Sequence, residues 1–350
     1  MIDTTLLLRK LIGIPRQSKN EQAAADMLTA FVEAEGFEPK RKGNNLWIED
    51  THREENRPTL LLNAHIDTVQ PTEGWTTDPY TPREVDGKLY GIGSNDCGGG
   101  LVALLATFIE IMRTPDFKRN YNLVYAASAE EEISGHGGFE ALLPCLPKVD
   151  AAIVGEPTGL QPAIAERGLM VIDCVTEGQS GHAARSEGIN ALYLAIDDLE
   201  WVRNYSFERV SPLLGKVKMT ATIIKAGTQH NVVPDRCYFT LDVRINELYT
   251  NEEILSIIRN HVKAKVTPRS TRLHSSRMAE THPLVIRLKE LGLCPFGSAT
   301  LSDQALMPFP SVKIGPGDSA RSHTADEYIY LREISSAVEL YMKLLDGLRL

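Results

Sequence analysis

Three consecutive carboxylates, Glu130 to Glu132, follow an apolar run in the stretch AASAEEEISGHGG, residues 126–138. The preceding NLVYAA, residues 122–127, predicts a buried strand. Like charges crowded at the tip of a strand repel one another unless something compensates them. A bound cation would compensate them. One carboxylate could then be a ligand, while its neighbour acts as a base on a water molecule.

Further metal-ligand residue types stand at comparable places in the chain. His65 follows TLLLNA, Glu156 follows AAIVG, and His323 follows SVKIGPGDSARS, while Asp96 lies in the loop GIGSNDCGGG. Open α/β sheets bind ligands beyond the carboxyl ends of their strands, so these residues are expected to meet in one crevice. With one carboxylate of the acidic run they form a mixed N/O set. Such a set suits a pair of Zn²⁺ ions about 3.5–4 Å apart, and Co²⁺ or Mn²⁺ also accept it.

Each residue also has an ordinary structural explanation. His65 is a hydrogen-bonded surface residue in that view, Asp96 a helix N-cap, Glu156 a helix cap, and His323 a polar loop residue. The context HIDT favours a ligand role for the first histidine, because Asp67 can orient its imidazole. All these residues are expected on one side of the same predicted sheet. Their independent occurrence there would be improbable, which favours the metal hypothesis.

The glycine-rich loop, residues 91–100, does not fit a dinucleotide-binding turn. Asp96 occupies the position of the third glycine that such a fingerprint requires. The glycines are therefore interpreted as close-approach backbone around a metal-binding aspartate. Cys97 beside it is interpreted as a small buried thiol, with an effect on metal preference as the alternative.

Composition narrows the class of protein. The 350 residues and a hydrophobic fraction of 43% suffice for about two domains. Lys and Arg number 37 against 46 Asp and Glu, and this net charge of −9 predicts neither nucleic acid nor an anionic membrane as partner. The five cysteines form no CxxC pair, and the N-terminus lacks the pattern of a signal peptide. Together these features favour a cytoplasmic protein whose partners are small molecules or itself.

The apolar runs predict a doubly wound α/β fold. An opening helix through about Gly36, strands at 59–64, 122–127 and 151–154, and a helix from Gly99 are typical of a mixed or parallel sheet covered on both faces. This catalytic domain is predicted over residues 1–167 and resumes over 276–350, with a helix at 284–291, a strand at 311–314 and a closing helix from Arg332.

The middle segment, residues 168–275, has a different pattern of predicted strands and helices. Strands are predicted at 169–176, 216–225, 237–245 and 263–274, and helices at 190–203 and 252–262. The order strand, helix, strand, strand, helix, strand is that of a ferredoxin-like α+β domain inserted into the first.

The ordered motifs resemble those of the dizinc aminoacylase and carboxypeptidase family, which contains acetylornithine deacetylase and succinyl-diaminopimelate desuccinylase. They run from about residue 60 to residue 323 and read HIDT, DGKLYGIGSND, EEEISGHGG, GEPT, GQSGHAARSEGINA, NVVPD, LDVR and SHTADE. The resemblance implies that Asp96 bridges two zinc ions. It assigns His65 and Glu156 to one ion, and Glu132 and His323 to the other.

The resemblance also implies the remaining roles. The family's acidic motif, aligned on the glycines of SGHGG, makes Glu131 the general base and leaves Glu130 to support the turn. The inserted domain corresponds to the family's dimerisation or lid domain. Its His182 would stabilise the oxyanion, usually in the partner subunit of a homodimer, and Asn231 and Arg244 would contact substrate. From the residues alone, His182 is better interpreted as a polar residue at a helix start, and Arg244 is equally a cross-strand ion-pair partner.

For substrate, the resemblance favours an N-acylated amino acid, because glutamate at the Glu156 position is typical of deacylases and aspartate of peptidases. N-acetyl-ornithine or N-succinyl-ornithine, in arginine biosynthesis, is the first expectation. Succinyl-diaminopimelate and di- or tripeptides are the alternative substrates. A non-catalytic metal-binding dimer is the alternative of another class, although such a protein would be expected to have lost a ligand or the base.

Overall fold

A computed structural model describes residues 2–350 of the chain. The helices are α1 Thr4–Ile12, α2 Gln22–Ala34, α3 Gly99–Arg113, α4 Phe139–Leu142, α5 Ala191–Asn204, α6 Asn251–His261, α7 Pro283–Glu290 and α8 Leu331–Leu345. The strands are β1 Lys40–Lys42, β2 Asn45–Glu49, β3 Thr59–His65, β4 Arg83–Val85, β5 Lys88–Tyr90, β6 Asn122–Ser128, β7 Ala151–Val154, β8 Ala163–Glu166, β9 Gly168–Glu177, β10 Gly181–His182, β11 Lys218–Ala226, β12 Val232–Val233, β13 Arg236–Ile245, β14 Lys265–Pro268, β15 Ser276–Arg277, β16 Phe296–Ser298, β17 Ser311–Lys313 and β18 Tyr328–Tyr330.

The chain forms two compact units. Of the described residues, the first contains 2–164, 277–296 and 302–350, and the second contains 165–276 and 297–301. The second unit is thus built mainly from one continuous segment that interrupts the first.

A mixed sheet organises the first unit, as the apolar runs predict. Its strands follow the order β1-β2-β6-β3-β7-β17-β8. The central pairs β6/β3, β3/β7 and β7/β17 are parallel, whereas β1/β2, β2/β6 and β17/β8 are antiparallel. The parallel strands therefore end at the same edge of the sheet.

Both faces of this sheet are covered. Val124 packs in a cluster with Phe139 and Leu142 of α4, whereas the hydroxyl of its neighbour Tyr125 donates to the backbone oxygen of Leu101 in α3. Successive residues of a strand point to opposite faces, so α4 and α3 lie on different sides. Such burial explains why these strands are continuous apolar runs rather than alternating ones.

Helix α3 is a core helix. Residues 94–113 are long and apolar enough to cross a membrane, but 89% of that window is buried inside the protein. Gly100 makes the close packing of its first turn feasible, because a Cβ there would lie 1.6 Å from the backbone oxygen of Gly155. This contact sets the start of α3 against the end of β7.

The opening segment differs from the prediction of one helix through Gly36. It contains two helices, α1 and α2, separated by residues 13–21. Gly13 caps α1 by donating to the backbone oxygens of Arg9 and Leu11, and Pro15 follows. Proline lacks an amide hydrogen and disfavours helical geometry in the residue before it, which separates the two helices.

The second unit contains a four-stranded antiparallel sheet in the order β11-β13-β9-β14. With α5 after β9 and α6 after β13, this is the split βαβ arrangement predicted for the segment. The last strand is shorter than predicted: β14 covers only Lys265–Pro268 of the predicted 263–274. Pro268 has no amide hydrogen for the sheet, which accounts for the early end.

Candidate metal centre

Several acidic and histidine side chains of the predicted site stand where the parallel strands of the first unit end. His65 is the last residue of β3, Glu130 comes two residues after β6, and Glu156 comes two residues after β7. Because β3 pairs in parallel with both neighbours, these ends lie at one edge of the sheet. The crevice expected beyond the carboxyl ends is therefore where these residues meet.

Asp67 organises the acidic turn after β6. Its Oδ1 accepts from the amide of Glu131 at 3.0 Å, and its Oδ2 accepts from the amide of Glu132 at 3.1 Å and from the hydroxyl of Ser18 at 2.6 Å. The ring nitrogen Nδ1 of His65 lies 2.9 Å from the backbone oxygen of Asp67 and 3.4 Å from its carboxylate. One buried aspartate thus connects the histidine to both glutamates, a wider role than orienting the imidazole alone.

Glu130 has a structural part in the same turn. Its backbone adopts a left-handed conformation with φ of 53°, and its carboxylate accepts from the amide of Gly137 at 3.2 Å. A Cβ at Gly135 or at Gly137 would lie 1.9 Å or 2.3 Å from that carboxylate. The glycines of SGHGG are therefore needed to enclose Glu130, which leaves the next two glutamates free to face the centre.

The predicted ligands assemble into overlapping groups. His65 Nε2 lies 3.2 Å from Asp96 Oδ1 and 3.6 Å from Glu156 Oε1, and His323 Nε2 lies 2.9 Å from Glu132 Oε2 and 3.6 Å from Asp96 Oδ2. The two carboxylate oxygens of Asp96 thus face different histidines. Asp96 is placed to serve both positions of a dinuclear centre.

The spacing of these atoms fits a divalent cation. Ligands at about 2.0–2.1 Å from a tetrahedral ion lie about 3.3 Å from one another. The separations of 2.9–3.6 Å between the imidazole and carboxylate atoms bracket that value. The donors are also of the mixed nitrogen and oxygen kind that zinc, cobalt and manganese accept.

Electrostatics points the same way. Burial raises the pKa of Glu131 well above its ordinary value, and the charges of Glu156 and Glu132 add to that shift. Burial, together with the nearby Asp96 carboxylate, raises the pKa of Glu156 to about 8. A hydrogen bond with Glu132 raises the pKa of His323 to about 9. Negative charge is crowded here in the way that a bound cation would relieve.

Cys97 lies against the same group as a buried thiol. Its sulfur accepts from the His65 amide at 3.2 Å and donates to the His65 backbone oxygen at 3.5 Å. Burial raises the pKa of the thiol far above its ordinary value. These contacts fit the small buried thiol of the sequence interpretation. The sulfur also lies within 4.8 Å of ligand atoms of His65 and Glu156.

Two buried carboxylates near the centre were not identified from the sequence. Asp303 Oδ2 accepts from Asn63 Nδ2 at 2.9 Å and from the Ser128 hydroxyl at 2.5 Å, and burial raises its pKa to about 6. Glu327 accepts three backbone amides of the loop that carries Asp96. Burial and the Asp96 charge raise the pKa of Glu327 to about 7.

Two buried cations were also missed. The Arg16 guanidinium donates to the backbone oxygens of Ile66 at 2.7 Å and Gly93 at 3.0 Å, so it links the segment after β3 to the Asp96 loop. Lys313, the last residue of β17, is 1% exposed, and its charge lowers the pKa of Glu156 against the effect of burial. A lysine inside the apolar run SVKI was a signal that sequence reasoning could have used.

The remaining predicted site residues lie in the second unit. His182 in β10 pairs with Val232 in β12, and the Asn231 backbone oxygen accepts from the Ala183 amide at 3.0 Å, so His182 and Asn231 are neighbours. Arg244 donates from Nε and Nη2 to Asp242 at 2.8 Å and 3.1 Å. The ion pair thus joins residues of one strand, not residues of two strands.

Comparison with known proteins agrees with this architecture. A family model described as peptidase family M20/M25/M40 matches residues 61–347. Acetylornithine deacetylase of Pectobacterium carotovorum is 32% identical over 82% of this chain and 79% of its own length. Succinyl-diaminopimelate desuccinylase 2 of Ruegeria sp. is 26% identical over 98% of this chain and 94% of its own.

Solved structures show the same fold. Aminopeptidase PepT of Bacillus cereus superimposes with a TM-score of 0.80 at 18% identity, covering 99% of this chain and 98% of its own. The YXEP protein of Bacillus subtilis, a dinuclear metal-binding peptidase, gives a TM-score of 0.75 at 17% identity, covering 98% and 96%. With the family model matched over most of its length, the chain belongs to the peptidase family M20/M25/M40 and is a metal-dependent hydrolase.

Proposed function

We propose that this protein is a dizinc amidohydrolase that removes the acyl group from an N-acylated amino acid. N-acetyl-ornithine, or N-succinyl-ornithine, is the proposed substrate, which makes the protein a cytoplasmic enzyme of arginine biosynthesis. Relatives named acetylornithine deacetylase, at 29% and 32% identity, support this substrate class. So does glutamate rather than aspartate at position 156, which the resemblance associates with deacylases.

One observation carries the hydrolase chemistry: a buried carboxylate that is not needed as a ligand lies beside the ligand groups. Glu131 directly precedes the predicted ligand Glu132 in sequence, and its Oε2 lies 4.0 Å from His65 Nε2. In the proposal His65 and Glu156 would hold one cation, Glu132 and His323 would hold the other, and Asp96 would contribute to both. When bound, the cations would lower the pKa of a water molecule and polarise the scissile carbonyl.

Glu131 then moves the proton. Its carboxylate takes a proton from the attacking water as the new carbon–oxygen bond forms, and gives that proton to the amine nitrogen as the carbon–nitrogen bond breaks. Burial raises the pKa of Glu131 above its ordinary value, and a more basic carboxylate accepts that proton more readily. Asp67 keeps Glu131 in place through the amide hydrogen bond described above.

Residues of the second unit complete the proposal. His182 is proposed to stabilise the oxyanion, contributed by the partner subunit of a homodimer, while Asn231 and Arg244 contact the substrate. A guanidinium is suited to bind an α-carboxylate bidentately, although in this structure Asp242 holds two of the Arg244 donors. These roles rest on the family resemblance.

The homodimer is supported by an apolar surface on the second unit. Strand β11 is an edge strand with exposed Ile223 and Ile224, and helix α5 exposes Tyr193 and Ile196. Unpaired, apolar edges of this kind are typical of protein interfaces. Ile224→Lys is expected to shift the mass in sedimentation to that of a monomer. Ile286→Lys, a comparable exposed isoleucine on the first unit, is the matched control.

A second candidate substrate is favoured by specific relatives. Two of them are named succinyl-diaminopimelate desuccinylase, at 26% and 25% identity. The same centre would hydrolyse that succinyl amide with the same assignment of base and ligands. Only the groups that contact the acyl and amino-acid portions would differ.

The deciding experiment is a substrate panel with purified, zinc-reconstituted protein and a chelated control. It contains N-acetyl-ornithine, N-succinyl-ornithine, N-succinyl-diaminopimelate and several dipeptides. Chelator-sensitive preference for an acyl-ornithine supports the proposal and identifies the acyl group. Preference for diaminopimelate or peptides overturns the substrate but retains the hydrolase. Absence of turnover with two bound cations overturns the proposed substrates and favours the non-catalytic metal-binding dimer.

A further inference from the structure

Two of the ligands are carried by loops rather than by strand ends. Asp96 lies in the irregular helical segment Ser94–Gly98, where its own φ and ψ of −114° and 103° are not helical. His323 follows the short helical turn Ser319–Arg321 and has a left-handed φ of 60°. By contrast, His65 and Glu156 stand at or directly after strands that are hydrogen-bonded on both sides.

Glu327 connects these two loops. Its carboxylate accepts from the amides of Gly93 at 3.0 Å, Asn95 at 2.8 Å and Asp96 at 2.9 Å, and the residue is 3% exposed. A buried carboxylate is unfavourable unless hydrogen bonds satisfy it, and here the Asp96 loop supplies all three of these donors. Since Glu327 is only four residues after His323, it fixes one ligand loop to the other.

Asn95 adds a second connection between the same loops. Its Oδ1 accepts from the amide of Asp318 at 2.9 Å, and its Nδ2 donates to the Asp318 backbone oxygen at 3.1 Å and to the Ser322 hydroxyl at 3.3 Å. A Cβ at Gly317 would lie 2.3 Å from Asn95 Oδ1, so the two segments are in tight contact. The hydrogen bonds of Asn95 and Glu327 therefore restrict the same pair of loops.

We propose that Glu327 is a positioning residue that makes Asp96 and His323 a single rigid element and thereby sets the affinity of the position formed by Asp96, Glu132 and His323. This inference rests on the dinuclear centre of the proposed function. The His65 position shares only Asp96 with that element, while its other ligands are fixed by the sheet. Disturbing Glu327 loosens two ligands of one position and one ligand of the other.

The test is Glu327→Gln, which keeps the shape of the side chain. The amide offers one acceptor oxygen and a donor NH₂ in place of the second oxygen, so at least one backbone amide of the loop faces another donor. Metal-free protein is titrated with Zn²⁺ in competition with a chromophoric chelator, and with Co²⁺ by visible absorption. Substitution of a group that orients metal ligands typically weakens metal binding about 10- to 100-fold, which is the loss expected for the equivalent bound by Asp96, Glu132 and His323. The other equivalent, which shares only Asp96, is expected to lose less.

Asp50→Asn is the matched control. Asp50 is also a buried carboxylate that accepts backbone amides, those of His52 at 2.9 Å and Leu123 at 3.3 Å. Leu123 lies at the start of β6, at the edge of the sheet opposite to the centre. This variant is expected to lower the unfolding temperature without changing either equivalent, which separates positioning from general destabilisation.

Wild-type affinity for both equivalents in Glu327→Gln, or equal loss of both, overturns the inference. If that variant does not fold, Asn95→Ala is the substitute test, because it removes the second connection and is expected to weaken binding of the same equivalent. Unchanged metal binding in Asn95→Ala would also overturn the inference.

The proposed activity and the proposed role of Glu327 can fail separately. Wild-type protein that binds two cations without hydrolysing any amide refutes the proposed activity alone. If Glu327→Gln binds both cations as tightly as the wild type, and the wild-type protein hydrolyses the amide, only the role of Glu327 is refuted.

Discussion

Replacement of Asp67 by asparagine tests whether one buried carboxylate holds the base and a ligand together. The carboxylate is 0% exposed and accepts from the amides of Glu131 and Glu132 and from the Ser18 hydroxyl. Asparagine has the same shape but replaces one oxygen with an NH₂ group. Whichever way the amide is oriented, at least one of these donors then faces another donor instead of an acceptor.

The magnitude follows from that lost hydrogen bond. Leaving a buried donor unsatisfied costs about 1–3 kcal/mol, and each 1.36 kcal/mol is about a factor of ten. The cost falls on the orientation of the turn that carries Glu131 and Glu132, so we expect kcat/KM to fall about 10- to 100-fold. Metal retention is expected to decrease with it, because the amide of one of the ligand-bearing residues is among the affected donors.

The assay is initial-rate hydrolysis of the substrate that the panel identifies, together with the metal content of the dialysed protein. Asp150→Asn is the control, since Asp150 Oδ2 accepts from the amide of Thr59 at 2.9 Å, at the opposite end of the same strand β3. It is expected to change stability and not turnover. Full activity and full metal content in Asp67→Asn, with both variants folded, would show that the acidic turn does not depend on this carboxylate.

Three further expectations follow from particular contacts. Glu131→Gln should lower kcat about 10²- to 10⁴-fold with both cations retained, and near-normal turnover would remove it as the base. Gly100→Ala should destabilise strongly and lower metal content, because its Cβ would overlap the Gly155 oxygen; a wild-type unfolding temperature would contradict this. Burial alone would raise the pKa of Asp50, but the hydrogen bond from Arg119 keeps this pKa below its ordinary value. Asp50→Asn should therefore lower the free energy of unfolding by about 1–3 kcal/mol at neutral pH. This deficit should shrink as pH falls below about 4, where Asp50 of the unfolded chain becomes protonated, and vanish once the folded group is protonated as well. A deficit independent of pH would be contrary.

The elements that carry the centre could be predicted because their burial is expressed directly in the sequence. Strands β3, β6 and β7 are apolar runs within a residue of the predicted limits, since a strand covered on both faces has no polar side. Strands whose burial does not produce a long apolar run were not predicted. The hairpin β1/β2 and the small sheet β18-β5-β4 were not foreseen, because their strands of 3–5 residues are too short for periodicity and most contain charged residues, so that no apolar run marks them.

Metal-ligand residue types were recognisable for a similar reason, and their supports were not. His65 and Glu156 follow directly from strand ends, so their positions in sequence fix their positions in space. Asp303 and Glu327 lie far along the chain from the groups they hold, Asn63 and Gly93 among them. Hydrogen bonds of a side chain to distant backbone amides leave no pattern in sequence spacing, so only the three-dimensional structure identifies these supports.

The question raised by the acidic triplet extends to the whole centre. Around it lie the carboxylates of Asp67, Asp96, Glu131, Glu132, Glu156, Asp303 and Glu327, all mostly or fully buried. The buried cations whose charges interact with these acids include Arg16, near Asp67 and Glu327, and Lys313, near Glu156. Protonation could neutralise several of these acids, as their raised pKa values indicate, but a protonated carboxyl is neither a good ligand nor a base. Bound divalent cations would neutralise the acids and leave them ionised. The excess of buried acid would then be stable and functional in the same state, with metal bound, and metal affinity would be part of the free energy of folding.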